Sequence, residues 1–173
     1  MDIEVILQAG EKHFFAKQYN DVKLDNIANE LGIKKPSLYY YFANKRDYYI
    51  KTLKYSMKKY IVALRKVIEK NDLESFIGRY LDYPSKHQNL FAIAAQKWYG
   101  DDREINGTIE VWKQVINTEM EVFLTKFEME PITMYLICQL LDKLAVENCI
   151  DGYCLEYNIK DLTKELTKLI QKK

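Results

Sequence analysis

The sequence predicts an all-α protein of about nine helices. Apolar residues return every three or four positions through most of the 173-residue chain. No segment alternates apolar and polar residues as a half-buried strand does, and there are only six glycines and three prolines. Ile3, Ile6, Leu7, Gly10 and Phe14 share one face of a first helix. Two short helices precede residue 43, one carrying Ile27, Ala28 and Leu31, the other opening at Pro36 with Leu38, Tyr41 and Phe42.

A long helix then starts near residue 44, where Tyr49, Leu53, Met57, Ile61, Leu64 and Ile68 step along one side. Asn44 can cap it through its side-chain oxygen, and Asp47 suits the positive end of the helix. Ile109, Trp112, Ile116, Met120, Phe123 and Phe127 mark a later helix, residues 131–150 another, and Ile159, Leu162, Leu166 and Leu169 the last. Asn71-Asp72, Tyr83-Pro84-Ser85, Tyr99 to Asp102, Glu130-Pro131 and Asp151-Gly152 supply breaks, and Asn106-Gly107 is placed between helical patterns.

Net charge is only +1, but it is unevenly spread. Residues 34–66 hold ten basic side chains against Asp47 alone. Such a block is either a localised contact for a polyanion or a solvated lysine-rich helix face. No apolar run is long enough to span a membrane, and the start of the chain lacks the pattern of a signal peptide. Cys138, Cys149 and Cys154 form no C-x-x-C pair, which points to a reducing cytoplasm without a disulfide frame or zinc site. His13 and His87 lack spaced partners, and no Walker loop, G-x-S-x-G or H-E-x-x-H is present, so no catalytic residue, metal or cofactor is expected.

The stretch "IANELGIKKPSLYYYF" carries the functional signal. Two helices meeting steeply need a small residue at their contact, which Ala28 provides. Their turn needs a residue tolerant of positive φ, which Gly32 provides. Pro36 suits a first helical turn, because its missing N–H would have no intrahelical partner there. A dense basic run opens and follows the second helix, which favours DNA over the alternative of a helical ligand-binding or protein-interaction module meeting an acidic partner.

The first 55 or so residues resemble the DNA-binding domain of the tetracycline-repressor (TetR) family of bacterial transcription regulators. The matching residues are Phe14-Phe15, Tyr19, Val22, Leu24, "IANELGI", "KPSLYYYF" and "NKRDYY". Two positions depart from the family pattern. Gln18 stands where glycine is usual, and Lys23 stands where a serine or threonine usually caps the second helix and touches a phosphate. Lysine cannot accept the capping bond, which leaves that role to Asp21 or Asp25, but it can meet a phosphate by charge.

The resemblance implies a helix-turn-helix DNA-binding domain over 1–45 and a helical effector-binding and dimerisation domain over 46–173. It places the Pro36–Phe42 helix in the major groove, with Leu38, Tyr41 and Phe42 turned to the core. Lys23, Lys34, Lys35, Pro36, Ser37, Tyr39, Tyr40 and Lys45 are left for a double-stranded operator, Lys45 on backbone phosphate. Phe76, Tyr80, Tyr83, Phe91, Trp98, Trp112, Met120 and Phe123 either fill the core or line a pocket for a mostly apolar effector. Leu136, Leu140, Leu144, Leu162, Leu166 and Leu169 are expected at a homodimer interface. The implied function is a cytoplasmic, ligand-responsive regulator, read as a repressor whose operator affinity falls on binding the effector, with activation as the alternative, since the sequence does not encode that sign.

Overall fold

The computed structural model describes residues 1–86, 102–150 and 158–171, with side chains left aside at 83–86 and 146–150. Eight α-helices occur among the described residues: α1 Ile3–Phe14, α2 Leu24–Glu30, α3 Lys35–Leu38, α4 Lys45–Ile68, α5 Leu73–Lys86, α6 Arg103–Leu124, α7 Pro131–Ile150 and α8 Ile159–Gln171. Short 3-10 turns lie at Tyr19–Asp21 and Thr125–Phe127, and no strand is present among the described residues. The all-α class therefore holds. The chain forms two compact units, Met1–Lys59 and Tyr60–Lys173. The division falls inside α4, because the early turns of that helix supply Tyr48, Tyr49, Ile50 and Leu53 to the core of the first unit.

The first unit is built on an aromatic cluster. The Phe14 ring meets Tyr48 edge-on at 5.2 Å and Tyr49 at 5.3 Å, while Phe42 stacks on Tyr48 at 4.1 Å. Tyr48 and Tyr49 are fully buried, and burial pushes both phenols well above their usual range. The Tyr48 hydroxyl donates to the Ile6 carbonyl, tying α4 to α1. Gly10 sits at the closest approach of these two helices. A Cβ there would lie 2.5 Å from Thr52 Oγ1 and 2.8 Å from Tyr48 Cε2.

In the second unit, α5 packs on α7 and α8, and α6 on α7. Ile105, Ile109, Trp112, Ile116, Met120 and Phe123 form the buried stripe of α6. Asp102 caps that helix by accepting from the Glu104 and Ile105 N–H groups. Asn106-Gly107 therefore lies within a helix, not between two. The Asp102 cap and the burial of Ile105 and Ile109 on either side outweigh the poor helix propensity of the pair. Likewise α5 continues through Pro84. A proline there removes one backbone hydrogen bond, a loss offset by the burial of Leu73, Phe76, Ile77, Tyr80 and Leu81. Asn71 and Asp72 do break the chain. Asn71 takes φ 54, and Asp72 caps α5 through the Glu74 and Ser75 N–H groups.

The inward stripe of α4 in this unit runs through Tyr60, Leu64 and Val67, with Ile61 and Ile68 only half-buried. The inward face of α8 is rotated in a similar way. Thr163, Leu166, Thr167 and Ile170 are buried, whereas Leu169 is 61% exposed. The threonine hydroxyls are satisfied within the helix, Thr163 donating to Ile159 O at 2.7 Å and Thr167 to Thr163 O at 2.8 Å. That allows two threonines to face the core, and Leu166, expected at an interface, is turned inward with them.

Candidate nucleic-acid interface

The turn between α2 and α3 is closed by backbone. Ile33 N–H donates to Ala28 O at 2.9 Å and Gly32 N–H to Asn29 O at 3.1 Å. This is the Schellman pattern, and it requires Gly32 to sit at φ 66. The expected positive φ is thus present, and Ala28 is buried at the helix contact. Lys34 precedes α3 without capping it. The helical segment expected over Pro36–Phe42 is shorter as a regular helix. After Leu38 the bonds tighten, Tyr39 N–H to Pro36 O at 3.1 Å and Tyr41 N–H to Leu38 O at 3.0 Å, before Phe42 returns to Leu38 O.

Leu38 and Phe42 are buried, and they fix this segment against the unit. Tyr39 is 48% exposed and Tyr40 86% exposed, with Lys34 and Ser37 exposed beside them. Tyr41 is only half-buried. Its hydroxyl donates to Met1 O at 3.1 Å, and its carbonyl accepts from Lys51 Nζ at 3.2 Å. The segment is followed by a reciprocal cap. Asp47 N–H donates to Asn44 Oδ1 at 2.8 Å, and Ala43 N–H donates to Asp47 Oδ2 at 2.9 Å. Burial works against the charge of Asp47, but the Lys51 ammonium and the Ala43 N–H hold its carboxyl below the usual value.

Several cations of the basic block are engaged within the fold. Lys35 pairs with Asp25 at 2.9 Å, a bond that raises the pKa of the ammonium. Asp25 is thus occupied by Lys35. Lys23 stands at the start of α2 with no side-chain capping bond, so nothing replaces the serine or threonine cap. Lys45 lies 4.4 Å above the Tyr19 ring and 3.4 Å from Asn20 O. Partial burial lowers the pKa of its ammonium, opposed by Asp21. Lys51 pairs with Asp47 at 2.9 Å and Lys59 with Glu11 at 2.9 Å, while Arg65, already within the second unit, bonds Glu119 of the same unit through Nε at 2.8 Å. His13 meets Glu30 at 2.8 Å, and Lys12 pairs with the same carboxylate, whose pKa is lowered by Lys12 and then His13.

In the second unit, Phe76, Tyr80, Trp112, Met120 and Phe123 are all buried. Phe76 and Phe123 have ring centroids 4.5 Å apart, and the Tyr80 hydroxyl donates to Asp142. Burial raises the pKa of Tyr80 and of Asp142. Phe91, Trp98 and the side chain of Tyr83 lie outside the described residues. On α7, Cys138, Leu141 and Ala145 face inward, while Ile132, Tyr135, Leu136 and Leu140 form an exposed strip on another side. Leu144 and Leu162 are half-buried. No helix among the described residues is long and apolar enough to cross a membrane.

Residues 6–49 match the family model described as bacterial regulatory proteins, tetR family. Solved structures share the fold over nearly the full length. The transcriptional regulator FadR from Bacillus subtilis, in complex with stearoyl-CoA, is 17% identical, with a TM-score of 0.74 over 98% of this chain and 97% of that one. The fatty acid degradation regulator FadR from Bacillus halodurans is 16% identical, with a TM-score of 0.72 over 98% of each chain. A transcriptional regulator from Aquifex aeolicus VF5 is 21% identical, with a TM-score of 0.69 over 97% of this chain and 96% of that one. No curated protein matches the chain at a significant level.

Proposed function

From the match of residues 6–49 to the tetR-family model, we propose that this chain is a DNA-binding transcriptional regulator of that family, a ligand-responsive repressor that reads its operator as a homodimer. The observation that carries the reading is the split of "LYYYF": Leu38 and Phe42 are buried while Tyr39 and Tyr40 project outward beside Lys34 and Ser37. Flat phenol rings suit thymine methyls, and their hydroxyls and the lysines suit phosphate and guanine edges. Lys23 and Lys45 flank this surface in the chain and add phosphate contacts. Lys35 joins them by exchanging Asp25 for DNA.

Tyr40→Ala tests this reading. With an operator selected from random DNA, affinity is expected to fall about tenfold, roughly 1.4 kcal/mol, with thermal stability unchanged because the ring is exposed. Unchanged affinity removes Tyr40 from the interface. A second measurement addresses Lys45. Lys45→Ala is expected to reduce the slope of log affinity against log salt by about one phosphate contact. A slope equal to the parent's leaves Lys45 as a strut on Tyr19 alone.

The regulator would act in the bacterial cytoplasm, in response to a small molecule held by the second unit. Its buried aromatic side chains with the Tyr80–Asp142 pair suit a largely apolar compound with a polar group. The stearoyl-CoA held by the Bacillus subtilis relative makes long-chain acyl thioesters the first class to try. The Phe76 and Phe123 rings are in contact, so a compound seated between them would have to part them, and its binding would shift the population toward that opened form.

A further inference from the structure

Tyr41 belongs neither to the core nor to the exposed surface. Its hydroxyl is held by Met1 O at 3.1 Å, its carbonyl by Lys51 Nζ at 3.2 Å, and its ring lies 6.3 Å from Phe42. The remaining edge of the ring meets Tyr40 at 5.1 Å with an interplanar angle of 84°. Tyr40 is otherwise 86% exposed. An exposed tyrosine on a tight turn samples several rotamers, and ordering it on DNA costs entropy. An edge-to-face partner that is itself fixed at both ends restricts that sampling before DNA arrives.

We propose that Tyr41 is a positioning residue for operator recognition: clamped between Met1, Lys51 and Phe42, it holds the Tyr40 ring in the orientation that meets the base edges. The proposal rests on Tyr40 being a DNA contact. It assigns Tyr41 an indirect role, so its contribution must vanish when Tyr40 is absent. A direct phosphate contact by Tyr41, or a role in folding, would persist without Tyr40.

A double-mutant cycle on the full-length protein decides this, with the double-stranded site selected from random DNA as the probe. Tyr41→Leu is expected to weaken operator affinity about three- to tenfold, the range of one aromatic pair. In a Tyr40→Ala background the same change is expected to have almost no effect. Tyr41→Phe keeps the ring and releases only the Met1 bond, so a smaller loss, again confined to the parent background, is expected. This second variant covers the case in which Tyr41→Leu fails to fold. Equal losses in both backgrounds would overturn the proposal. So would an unchanged affinity in the Tyr41 variants while Tyr40→Ala weakens binding, an outcome that leaves the reading of Tyr40 intact. If Tyr40→Ala alone has no effect, the reading of Tyr40 fails and the positioning role falls with it.

Discussion

Gly10→Val is expected to destabilise the DNA-reading unit by about 3 kcal/mol, at the upper end of the range for overpacking a filled core. Any Cβ at this position meets Thr52 Oγ1 at 2.5 Å and the Tyr48 ring at 2.8 Å. Neither neighbour can yield easily. Tyr48 is fully buried, stacked on Phe42 and hydrogen-bonded to Ile6 O, and Thr52 Oγ1 donates to Tyr48 O at 2.8 Å. Removing glycine from a helix returns at most about 1 kcal/mol of propensity, which is smaller than the clash. A unit of this size loses roughly 4–8 °C of melting temperature per kcal/mol, so thermal unfolding followed by circular dichroism gives a clear readout. A variant melting with the parent would mean that α1 and α4 are farther apart than described. Operator binding is expected to fall with the folded fraction and to recover on cooling.

The largest functional effect is expected from Leu136→Lys combined with Leu140→Lys. Both leucines are exposed, 59% and 40%, so the fold of the unit should survive the change. Together with Ile132 and Tyr135 they form an apolar strip one helical turn apart along α7, and Leu169 on α8 is also exposed. If the strip joins two copies, four lysines would face one another across the two-fold axis without countercharges. Sedimentation at micromolar concentration should then show monomer. Two linked reading heads gain 10²–10⁴ in apparent affinity over one, so binding to a two-half-site operator should drop by at least about 100-fold. Affinity for a single half-site should change little. A double variant that remains dimeric excludes this strip from the interface.

The parts of the fold that were legible in the sequence depend on neighbours within a few residues. Gly32 closes a turn through Ala28 and Asn29, and Asn44 and Asp47 cap α4 across three positions. Local chemistry fixed both. The engagement of the cations was not legible. Lys35 finds Asp25 ten residues away, Lys45 finds Asn20 at twenty-five and Lys59 finds Glu11 at forty-eight. Counting charge along the chain does not reveal which of these cations already hold a partner within the fold. The inner face of α8 was hidden for a different reason. Thr163 and Thr167 bond to carbonyls one turn back, so they bury without a partner elsewhere, whereas a hydrophobic pattern passes over them and selects Leu162 and Leu169. Pro84 and Asn106-Gly107 misled in the opposite sense, because buried residues before Pro84, and on both sides of Asn106-Gly107, carried the helices through residues that usually end them.

The closure of the α2–α3 turn has a practical consequence. Its geometry comes from main-chain bonds at Gly32 and Ile33 and from two inward anchors, Leu38 and Phe42. Nothing in that list uses the side chains of Lys34, Ser37, Tyr39 or Tyr40. These four positions form a natural cassette: they can be randomised together without touching the scaffold that presents them. On the proposed reading, a library confined to them would readdress the protein to new DNA sites while keeping its scaffold.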